Sequence, residues 1–448
     1  MRKTILVLGA GLVAKPLVQY LLNQREFKVI VASRTLEKAR KLIGNAPNGE
    51  AHAMDVADTE SLSSAIAGVD LVISLVPYIH HVTSARLCVR HKKHLVTTSY
   101  VSDAMRTLDE DAMKAGVLFL NEIGLDPGID HMSAMKIIHR IQASGGKVTE
   151  FHSYCGGLPA PEANTNPFGY KFSWSPRGVV LAGRNNARYL EHGKIIEIPG
   201  KDLFDHYWSL HINGIGNFEA YPNRDSLSYI DLYGLKGILT MFRGTLRNMG
   251  WCRTWKKMAD LGLLDDAKKH DFTQKTYHQL LGELVRSKGA DVRGDLAAYL
   301  GLDTRSDVIE RIEWLGLLDE RTPEMKEGSA LDLLVEVLIE KLKYRNGERD
   351  MIILRHEFEG EYPDRKEKIT STLVDYGIPN SDSAMSRTVG LPAAIASRMI
   401  LEGKIPVTGV HIPILPEIYE PVLAELEGHG IRFAETAEET IYGDKLHH

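Results

Sequence analysis

Residues 4–14 read Thr-Ile-Leu-Val-Leu-Gly-Ala-Gly-Leu-Val-Ala, and they carry the strongest fold signal in the N-terminal part of the chain. A short apolar run ends at Gly9-Ala10-Gly11, and an amphipathic segment follows to about Asn23. Glycines that follow a strand and open a helix let the backbone approach a pyrophosphate at the helix N-terminus. Glycines also serve ordinary turns, so the motif is informative because of this strand–turn–helix context. The stretch therefore predicts a dinucleotide-binding fold.

Apolar runs and amphipathic segments go on alternating as far as residue 143. The alternation indicates βαβ units and a mostly parallel sheet. The predicted strands are residues 4–8, 28–32, 51–54, 71–75, 94–98 and 117–121. The predicted helices after the first are residues 36–43, 59–67, 79–90, 103–114 and 129–143. Nearly continuous apolar strands are typical of a sheet that is covered by helices on both faces.

The end of the second predicted strand indicates which dinucleotide binds. An NAD-binding fold would place Asp or Glu there, against the ribose 2′-hydroxyl. This chain has Ser33-Arg34-Thr35 instead. A carboxylate would repel a 2′-phosphate, whereas a guanidinium and two hydroxyls bind it through charge-assisted hydrogen bonds. The sequence therefore predicts NADP(H), the alternative being that Arg34 is a solvated residue at the strand end.

Ligands in parallel sheets sit at the carboxyl ends of the strands. That rule places Asp55 near the adenine amino group, with a helix-starting turn as the alternative role. It also points to Val76-Pro77, Thr98–Tyr100 and Gly124–Asp130 as the rim of one crevice.

The second half of the chain has a different pattern. Val148–Cys155 is a predicted strand of another sheet, and Gly156–Pro176 is too rich in Gly, Pro and Asn for regular structure. A long loop inside a compact domain is normally functional or disordered, and the aromatic residues of this loop need burial. Helices are predicted at 178–191, 254–261, 274–287, 291–299, 307–314, 330–342, 384–401 and 417–427, and strands at 195–198, 351–358 and 368–374.

Composition excludes several classes of function. The net charge of −5 provides no basic field for nucleic acid. The three cysteines, Cys88, Cys155 and Cys252, are far apart and odd in number, which argues against a disulfide framework and fits a reducing cytosol. No apolar run approaches the roughly 20 residues of a membrane span, and an immediate first strand leaves no room for a signal peptide. We expect a cytoplasmic protein without a membrane or nucleic-acid partner.

Cationic residues in short non-periodic motifs indicate an anionic ligand. Arg224, Arg247 and Lys171 suit a substrate with several carboxylates, because arginine forks pair with carboxylates through two parallel hydrogen bonds. The alternative is surface ion pairing, worth about 0–1 kcal/mol. No metal site is predicted, since His80, His81, His131, His139 and His152 lack ligand spacing and are better explained as core or surface residues. Cys155 is either a nucleophile or a small buried thiol.

Long non-periodic stretches carry a family resemblance over almost the whole chain. The segments are ISLVPY at 73–78, EIGLDPGIDH at 122–131, YCGGLPAPE at 154–162, YKFSWS at 170–175, YPNRDS at 221–226, RGTLR at 243–247 and LVDYG at 373–377. In these segments the sequence resembles the NADP-dependent, glutamate-forming saccharopine dehydrogenases. Such stretches are far more specific than the glycine motif. Two features depart from the family pattern: Asn248 stands where Tyr is usual, and Lys201–Glu219 is unlike the usual apolar approach to Tyr221.

The resemblance implies an NADPH-dependent reductase that joins L-glutamate to 2-aminoadipate 6-semialdehyde through an imine, giving saccharopine in lysine metabolism, and that also runs in reverse. It implies an α/β fold with an N-terminal Rossmann-type parallel sheet, a second α/β substrate and dimerisation domain, and an inserted helical domain, in a homodimer. The expected domains are residues 1–130 with about 384–448, residues 131–250 with about 350–380, and residues 251–349.

Residues and resemblance together give the predicted site. The cofactor-binding residues are Gly9, Gly11, Leu12, Val13, Ser33, Arg34, Thr35, Asp55, Val56, Val76, Thr98, Ser99, Leu125, Asp126, Ile129, Asp130 and Ser175. The substrate-binding residues are Ser99, Tyr100, Asp126, Lys171, Trp174, Arg224, Gly244, Thr245, Leu246 and Arg247. The catalytic candidates are Tyr100, Asp126 and Cys155.

Several alternatives stay open at the level of the sequence. The proton needed for imine reduction can come from Tyr100, Asp126, Cys155, water or the substrate's own carboxylate. A related imine reductase acting on another amine, as in polyamine precursor synthesis, would not need a pocket for three carboxylates. A non-catalytic NADPH-binding regulator would keep Gly9–Ala14 but would have no reason to keep Tyr154–Ser175.

Overall fold

The structure is a computed structural model that describes residues 2–289 and 291–442. The chain divides into two compact units: the first comprises Met1–Val148 and Glu359–His448, and the second comprises Thr149–Phe358. No helix within the described residues has both the length and the apolarity needed to cross a membrane. The predicted division into three domains stays a prediction.

The N-terminal part of the first unit alternates strands with helices. Its elements are β1 (Lys3–Leu8), α1 (Ala14–Leu22), β2 (Phe27–Ser33), α2 (Leu36–Ile43), β3 (Gly49–Ala53), α3 (Thr59–Ala67), β4 (Leu71–Ser74), α4 (His81–His91), β5 (His94–Thr97), α5 (Asp103–Arg106), α6 (Asp109–Ala115), β6 (Leu118–Leu120) and α7 (Ile129–Ala143).

The elements that follow belong largely to the second unit, and β15 runs past its end. They are β7 (Lys147–Pro159), α8 (Pro176–Ala182), β8 (Ala187–Glu191), β9 (Lys194–Ile198), β10 (Trp208–Ile212), β11 (Gly216–Pro222), α9 (Ser228–Leu232), β12 (Thr240–Asn248), α10 (Trp251–Asp260), β13 (Lys269–Asp271), α11 (Tyr277–Val285), α12 (Val292–Leu300), α13 (Asp307–Trp314), β14 (Glu327–Ser329), α14 (Ala330–Lys341) and β15 (Asp350–Glu361).

The chain then completes the first unit. The remaining elements are β16 (Arg365–Tyr376), α15 (Ala384–Leu401), β17 (Gly409–His411), α16 (Pro416–Gly428) and β18 (Phe433–Ile441). Strands β16 and β18 pair antiparallel, from Arg365 opposite Ile441 to Leu373 opposite Phe433. Helix α15 packs on α1, and Gly390 permits this because a Cβ there would lie 2.9 Å from the carbonyl oxygen of Val13.

The sheet of the first unit has the order β17-β6-β5-β4-β1-β2-β3. Every pairing in it is parallel, as predicted from the alternating pattern. Strand order reverses between β1 and β4, and a crevice opens at the carboxyl ends of strands at such a point. The predicted fold class, with its N-terminal Rossmann-type sheet, is confirmed.

Strands β10, β11, β12 and β7 lie side by side in the second unit. Strand β11 pairs antiparallel with both β10 and β12, whereas β12 and β7 run parallel. Aromatic residues of these strands pack together, with the rings of Tyr154 and Phe242 5.5 Å apart and those of Trp208 and Phe242 5.0 Å apart. The motifs that contain Tyr154, Tyr221 and Arg247 therefore lie on neighbouring strands.

The helix predicted at 178–191 is wrong in its second half. Helix α8 ends at Ala182, and residues 187–191 form β8, which pairs with β9 in a hairpin. His192 and Gly193 connect the two strands with φ values of 47° and 78°. A two-residue turn with positive φ at both positions matches the twist of a hairpin. Local helical spacing was overridden by this turn.

Two further predicted bounds are also corrected. Gly156–Pro159 continues β7 rather than starting a loop, because a glycine at 156 lets β12 approach: a Cβ there would lie 2.8 Å from the Cβ of Leu246. The helix predicted at 103–114 is two helices, α5 and α6. The apolar period continued across the break, which is why the sequence pattern did not reveal it.

Candidate active site

The turn from β1 to α1 is built for close approach of a ligand to the backbone. Gly9 has φ of 109°, and a Cβ there would lie 3.1 Å from the carbonyl oxygen of Leu75. Helix α1 begins without a side-chain cap. Within the described part of the chain, the amides of Gly11, Leu12 and Val13 donate no hydrogen bond to the backbone. Free amides at a helix N-terminus form an anion-binding site, so the predicted turn has the required chemistry.

The segment after β2 presents an exposed cation. Arg34 is exposed, and among residues 2–289 and 291–442 its guanidinium has no ion-pair partner. Ser33 Oγ accepts the amide hydrogen of Thr35 at 3.2 Å, which orders the turn beside it. Across the sheet, Asp55 accepts the amide hydrogen of Ala57 at 3.0 Å, so it also has the turn role considered above. This edge of the sheet therefore presents positive charge and hydroxyls where a 2′-phosphate is expected.

Two segments of the first unit are joined at the carboxyl edge of the sheet. Glu122 donates its amide hydrogen to the carbonyl oxygen of Ser99 at 3.2 Å. The Tyr100 hydroxyl donates to Oδ1 of Asp126 at 2.9 Å. Thr98 packs against Gly124, where a Cβ would lie 3.1 Å from the Cβ of Thr98. Ser99, Tyr100 and Asp126, predicted from separate stretches, thus lie in one place.

The Gly124–Asp130 segment is a compact turn with a buried interior. Its Asp126–Pro127 peptide bond is cis, and Gly128 has φ of 148°. The amide of Ile129 donates to the carbonyl of Gly124 at 2.9 Å, and the amide of Gly128 donates to Oδ1 of Asp130 at 2.5 Å. The side chains of Leu125, Ile129 and Asp130 are buried. Their predicted cofactor contact stays a prediction, whereas their packing inside the turn is a structural fact.

A buried hydrogen-bonded pair of side chains, Glu122 and His131, supports this turn and was not predicted. Glu122 Oε2 lies 2.8 Å from Nε2 of His131, and both side chains are at most 2% exposed. Glu122 Oε1 accepts the amide hydrogen of Val101 at 2.9 Å. A buried carboxylate is tolerated when its oxygens are paired in this way. The pair therefore fixes the backbone on either side of Ser99 and Tyr100.

One face of the second unit's sheet collects the predicted substrate residues. Side chains alternate along β12, so Arg243, Thr245 and Arg247 share a face. Thr245 lies opposite Cys155 on β7 and opposite Tyr221 on β11. Burial raises the pKa of Tyr221 to about 12, so its phenol stays protonated. Gly244 and Leu246 contribute backbone, and at Gly244 a Cβ would lie 2.6 Å from Phe242.

Arg247 is a buried cation in an aromatic setting. Its side chain is 6% exposed. The guanidinium lies 5.0 Å from the ring centre of Tyr170 and 5.3 Å from that of Trp251. Nη1 donates to the carbonyl oxygen of Leu246 at 2.8 Å, while Nε has no hydrogen-bond partner. Within the described residues no carboxylate forms an ion pair with it.

The carboxylate nearest in register to Arg247 is already engaged. Glu219 lies directly opposite Arg247 on β11. Its two oxygens accept the amide hydrogens of Gly250 and Cys252, each at 2.7 Å. These amides belong to the N-terminus of α10, where a carboxylate is favoured. Glu219 therefore caps the helix that carries Trp251 and does not neutralise Arg247. The Nε–H group of Arg247 is left without an acceptor.

Other predicted substrate residues have partners of their own. The Lys171 ammonium is 3% exposed and pairs with Glu348 at 2.6 Å. It also donates to Thr165 Oγ1 at 3.1 Å. Cys155 is buried and forms no disulfide, Trp174 is half-buried, and Ser175 caps α8 by accepting the amide hydrogen of Gly178 at 3.2 Å. The Lys171 pair ties the aromatic loop to the segment before β15.

Arg224 is exposed and lies in a strained turn. Its φ of 54° is in the left-handed region, which is unfavourable for a residue with a side chain and is common at functional positions. The turn is held on both sides, because Arg188 donates its amide hydrogen to the carbonyl of Arg224 and Asn223 donates to that of Arg243, each at 2.9 Å. The turn therefore places Arg224 next to the end of β12 where Arg243 lies.

The structure groups the predicted residues in two sets, one in each unit. The set in the first unit combines the glycine turn, Arg34 and the Tyr100–Asp126 pair; the set in the second unit combines Arg247 with Thr245 and Cys155. Sequence reasoning missed Glu219, Trp251 and the Glu122–His131 pair, since each depends on a partner distant in sequence. Among the described residues no cluster of His, Cys, Asp or Glu could hold a metal ion.

Known proteins resemble this chain along nearly its whole length. Residues 5–120 match the family model for the saccharopine dehydrogenase NADP binding domain, and residues 124–431 match that for the saccharopine dehydrogenase C-terminal domain. The NADP(+), L-glutamate-forming saccharopine dehydrogenase of Schizosaccharomyces pombe is 40% identical, covering 96% of this chain and 98% of its own length. The mitochondrial alpha-aminoadipic semialdehyde synthase of Bos taurus is 38% identical, and this chain covers 48% of its length.

A solved structure is similar at the level of the whole fold. The apo histidine-tagged saccharopine dehydrogenase (L-Glu forming) of Saccharomyces cerevisiae superimposes with a TM-score of 0.88 at 40% identity. The match covers 97% of this chain and 100% of the yeast chain. The predicted resemblance and the predicted NADP(H) cofactor are both confirmed.

Proposed function

The chain belongs to the saccharopine dehydrogenase family as an NADP-dependent oxidoreductase, and on this premise we propose that it joins L-glutamate to 2-aminoadipate 6-semialdehyde to give saccharopine and catalyses the reverse reaction. Reductive condensation of an amine with an aldehyde requires loss of water, a hydride and one proton. Saccharopine carries three carboxylates, so its binding site needs cations that are not already neutralised.

Arg247 is the observation that carries this proposal. It is buried, its Nε lacks a partner, and the described residues supply no carboxylate to neutralise it. A buried cation without a counter-ion is costly. A carboxylate of the substrate would remove that cost through charge-assisted hydrogen bonds. Arg224 is the second proposed carboxylate ligand, and Gly244, Thr245 and Leu246 contribute backbone on the same strand.

The residues of the first unit fit NADP(H). The proposed phosphate contacts are the free amides of Gly11, Leu12 and Val13, and Arg34 with Ser33 and Thr35 is the proposed site for the 2′-phosphate. When bound, the cofactor supplies or accepts a hydride. The carboxyl edge of the sheet, with Val76 and Thr98, is the proposed location of its nicotinamide end.

Proton handling is proposed for Tyr100, Asp126 and Cys155. The hydrogen bond from Tyr100 to Asp126 holds both groups at one position, 2.9 Å apart. The pair can accept a proton from, or return one to, an amine or a water that reaches it. Water and a carboxylate of the substrate are alternative carriers, so each of these side chains is expected to contribute modestly. Lys171 is proposed to support substrate binding indirectly. Its ion pair with Glu348 holds the aromatic loop in place.

The decisive experiment measures NADPH oxidation with L-glutamate and 2-aminoadipate 6-semialdehyde, and NADP⁺ reduction with saccharopine. A diamine without carboxylates, offered in place of glutamate, is the matched control. We expect turnover with glutamate and none with the diamine. Turnover with the diamine alone would indicate a related imine reductase, and NADPH binding without turnover on either would indicate a regulator.

We also propose a homodimer in the cytoplasm that binds neither nucleic acid nor membrane. The net charge of −5 argues against a nucleic-acid partner, three cysteines outside disulfides fit a reducing compartment, and the dimer rests on the family resemblance. Sedimentation velocity of the purified protein tests the assembly, and a species of one chain mass at micromolar concentration would contradict the dimer.

A further inference from the structure

His81 is a buried histidine that lies between two strand ends of the first unit. It is the first residue of α4, and its side chain is 4% exposed. Nδ1 lies 2.9 Å from Oγ of Ser74, the last residue of β4. Nε2 lies 2.9 Å from Oγ of Ser99 and 3.2 Å from Oγ1 of Thr97, the last residue of β5. Both ring nitrogens are therefore occupied by hydroxyls.

The imidazole is neutral at physiological pH. Burial lowers the pKa of His81 to about 4, and the neighbouring His80 contributes in the same direction. The described part of the chain gives His81 no carboxylate partner. A neutral imidazole has one donor nitrogen and one acceptor nitrogen. The ring therefore connects a donor position on one strand end to an acceptor position on the other.

The hydroxyl network ends on residues of the candidate active site. Thr97 Oγ1 also accepts the amide hydrogen of Ser99 at 3.3 Å, so Thr97 holds the backbone of Ser99 while His81 holds its side chain. The next residue, Tyr100, donates to Asp126. Ser99 is half-buried, with its hydroxyl held from the interior by His81. A ligand at the strand ends would meet the outer side of that hydroxyl.

We propose that His81 is a positioning residue that holds the hydroxyl of Ser99 in a single orientation toward the substrate. The inference rests on the proposed function, in which Ser99 contacts the substrate. Packing alone does not require this arrangement, because an apolar side chain would fill the same buried space without needing three hydroxyl partners. The function of the imidazole is to fix both the position and the hydrogen direction of one hydroxyl.

Two substitutions of His81 distinguish the role of Nδ1 from that of Nε2. The amide of His81→Gln reaches the position of Nε2 and can keep the bond to Ser99, whereas the shorter amide of His81→Asn reaches the position of Nδ1 and loses it. A neutral hydrogen bond is worth a factor of about ten or less. We therefore expect His81→Asn to lower kcat/KM for saccharopine about tenfold, and His81→Gln to stay within about threefold of the wild type.

A double-substitution cycle gives the test that a packing role would not satisfy. In a Ser99→Ala background, His81→Asn should change kcat/KM less than about twofold, because the group that His81 positions is absent. Thermal unfolding of every variant controls for folding. Equal losses in the Asn and Gln variants, or an undiminished effect of His81→Asn in the Ser99→Ala background, would show that His81 serves the core only.

A spectroscopic measurement keeps the inference separate from the proposed reaction. In protein labelled with ¹⁵N at histidine, His81 is identified by the signal missing from His81→Asn. We expect one neutral tautomer at pH 7 and a shifted Nε2 signal in Ser99→Ala, where Thr97 is the remaining hydroxyl at that nitrogen. Two averaged tautomers, or no response to Ser99→Ala, would overturn the inference. Absence of saccharopine turnover in the wild type, with these spectra as expected, would instead contradict only the proposed function.

Discussion

Arg34 and Arg247 are both proposed ligands for anions, yet they lie in opposite environments. Arg34 follows a strand of the first unit and is exposed, so water solvates its charge when no ligand is present. Arg247 lies inside the second unit against Tyr170 and Trp251, with one bond to a carbonyl and an unpaired Nε. The solvated charge of Arg34 therefore lowers the free energy of unfolding very little. The buried, unpaired charge of Arg247 lowers it more.

Solvent exposure determines how much free energy each guanidinium can contribute to binding. A solvated guanidinium gives up part of its hydration when it binds, so its net gain is limited. A buried guanidinium has already lost its hydration on folding, and a ligand that pairs with it regains the full attraction. Substitution of Arg247 should therefore weaken ligand binding more than substitution of Arg34. The free energy of unfolding should stay equal or rise when Arg247 is replaced, and should not change when Arg34 is replaced.

The largest effect is expected for Arg247→Met. Loss of two charge-assisted hydrogen bonds should weaken kcat/KM for saccharopine by about 3–4 kcal/mol, roughly 10²–10³-fold, with NADP⁺ affinity unchanged. Because an unpaired buried cation is removed, the free energy of unfolding should stay equal or rise. Steady-state kinetics and urea unfolding measure both, with Arg253→Met on an exposed ion pair as control. If Arg247→Met instead weakened the binding of both saccharopine and NADP⁺ and lowered the free energy of unfolding, Arg247 would have a folding role.

The next effect concerns the exposed arginine. Arg34→Asp should remove the 2′-phosphate contact and add repulsion, lowering the preference for NADPH over NADH by about 2–4 kcal/mol. The ratio of kcat/KM values with the two cofactors measures it. Stability should not change, and Arg40→Asp, on the exposed side of α2, is the matched control. An unchanged ratio would contradict the assignment of Arg34.

A third expected effect concerns pH and a buried group of the first unit. The folded pKa of His81 is about 4, below its ordinary value of 6.5, so the unfolded chain binds the proton first. Stability from this group is complete above pH 6.5 and is lost as the pH falls toward 4, by about 2 kcal/mol between pH 7 and pH 5. Urea unfolding of the wild type and of His81→Gln at several pH values isolates this contribution. Parallel pH profiles for the two proteins would contradict it.

The smallest effect is expected at the proton-handling pair. Tyr100→Phe and Asp126→Asn should each lower kcat about threefold to tenfold, because one hydrogen bond contributes about 1 kcal/mol. The double variant should lose little more than either single variant, since the two groups act through one shared bond. Single-turnover measurements with both ligands saturating test this. If either variant abolished turnover with both ligands bound, that residue would be an essential acid or base.

Much of the first unit was predictable because its determinants are local. The bounds of α2, α3 and α7 were predicted to the residue, since each combines a helical apolar period with a clear start. The glycine turn and Arg34 follow strands directly, so sequence order alone places them at the ligand edge of the sheet.

The hairpin at residues 187–198, in the second unit, was missed in part because two adjacent positive-φ residues outweighed local helical spacing.

In the second unit, the pairing of charged side chains could not be predicted from the local sequence. Lys171 and Arg247 are both cations in short non-periodic motifs, and their local sequence does not distinguish them. Only the tertiary structure distinguishes them: Lys171 is neutralised by Glu348, a residue 177 positions away, whereas the carboxylate opposite Arg247 is taken up by the N-terminus of α10.

The alternating strands and helices, the dinucleotide motif, the preference for NADP(H) and the family were all predictable from the sequence. Those features depend on periods of two and 3.6 residues and on neighbours along the chain. Which charges are buried, which are paired, and that His81 joins Ser74 to Ser99 became visible only in the folded chain. Ion pairing and burial depend on residues brought together across the fold, and no local period encodes which distant side chain will lie within hydrogen-bonding distance.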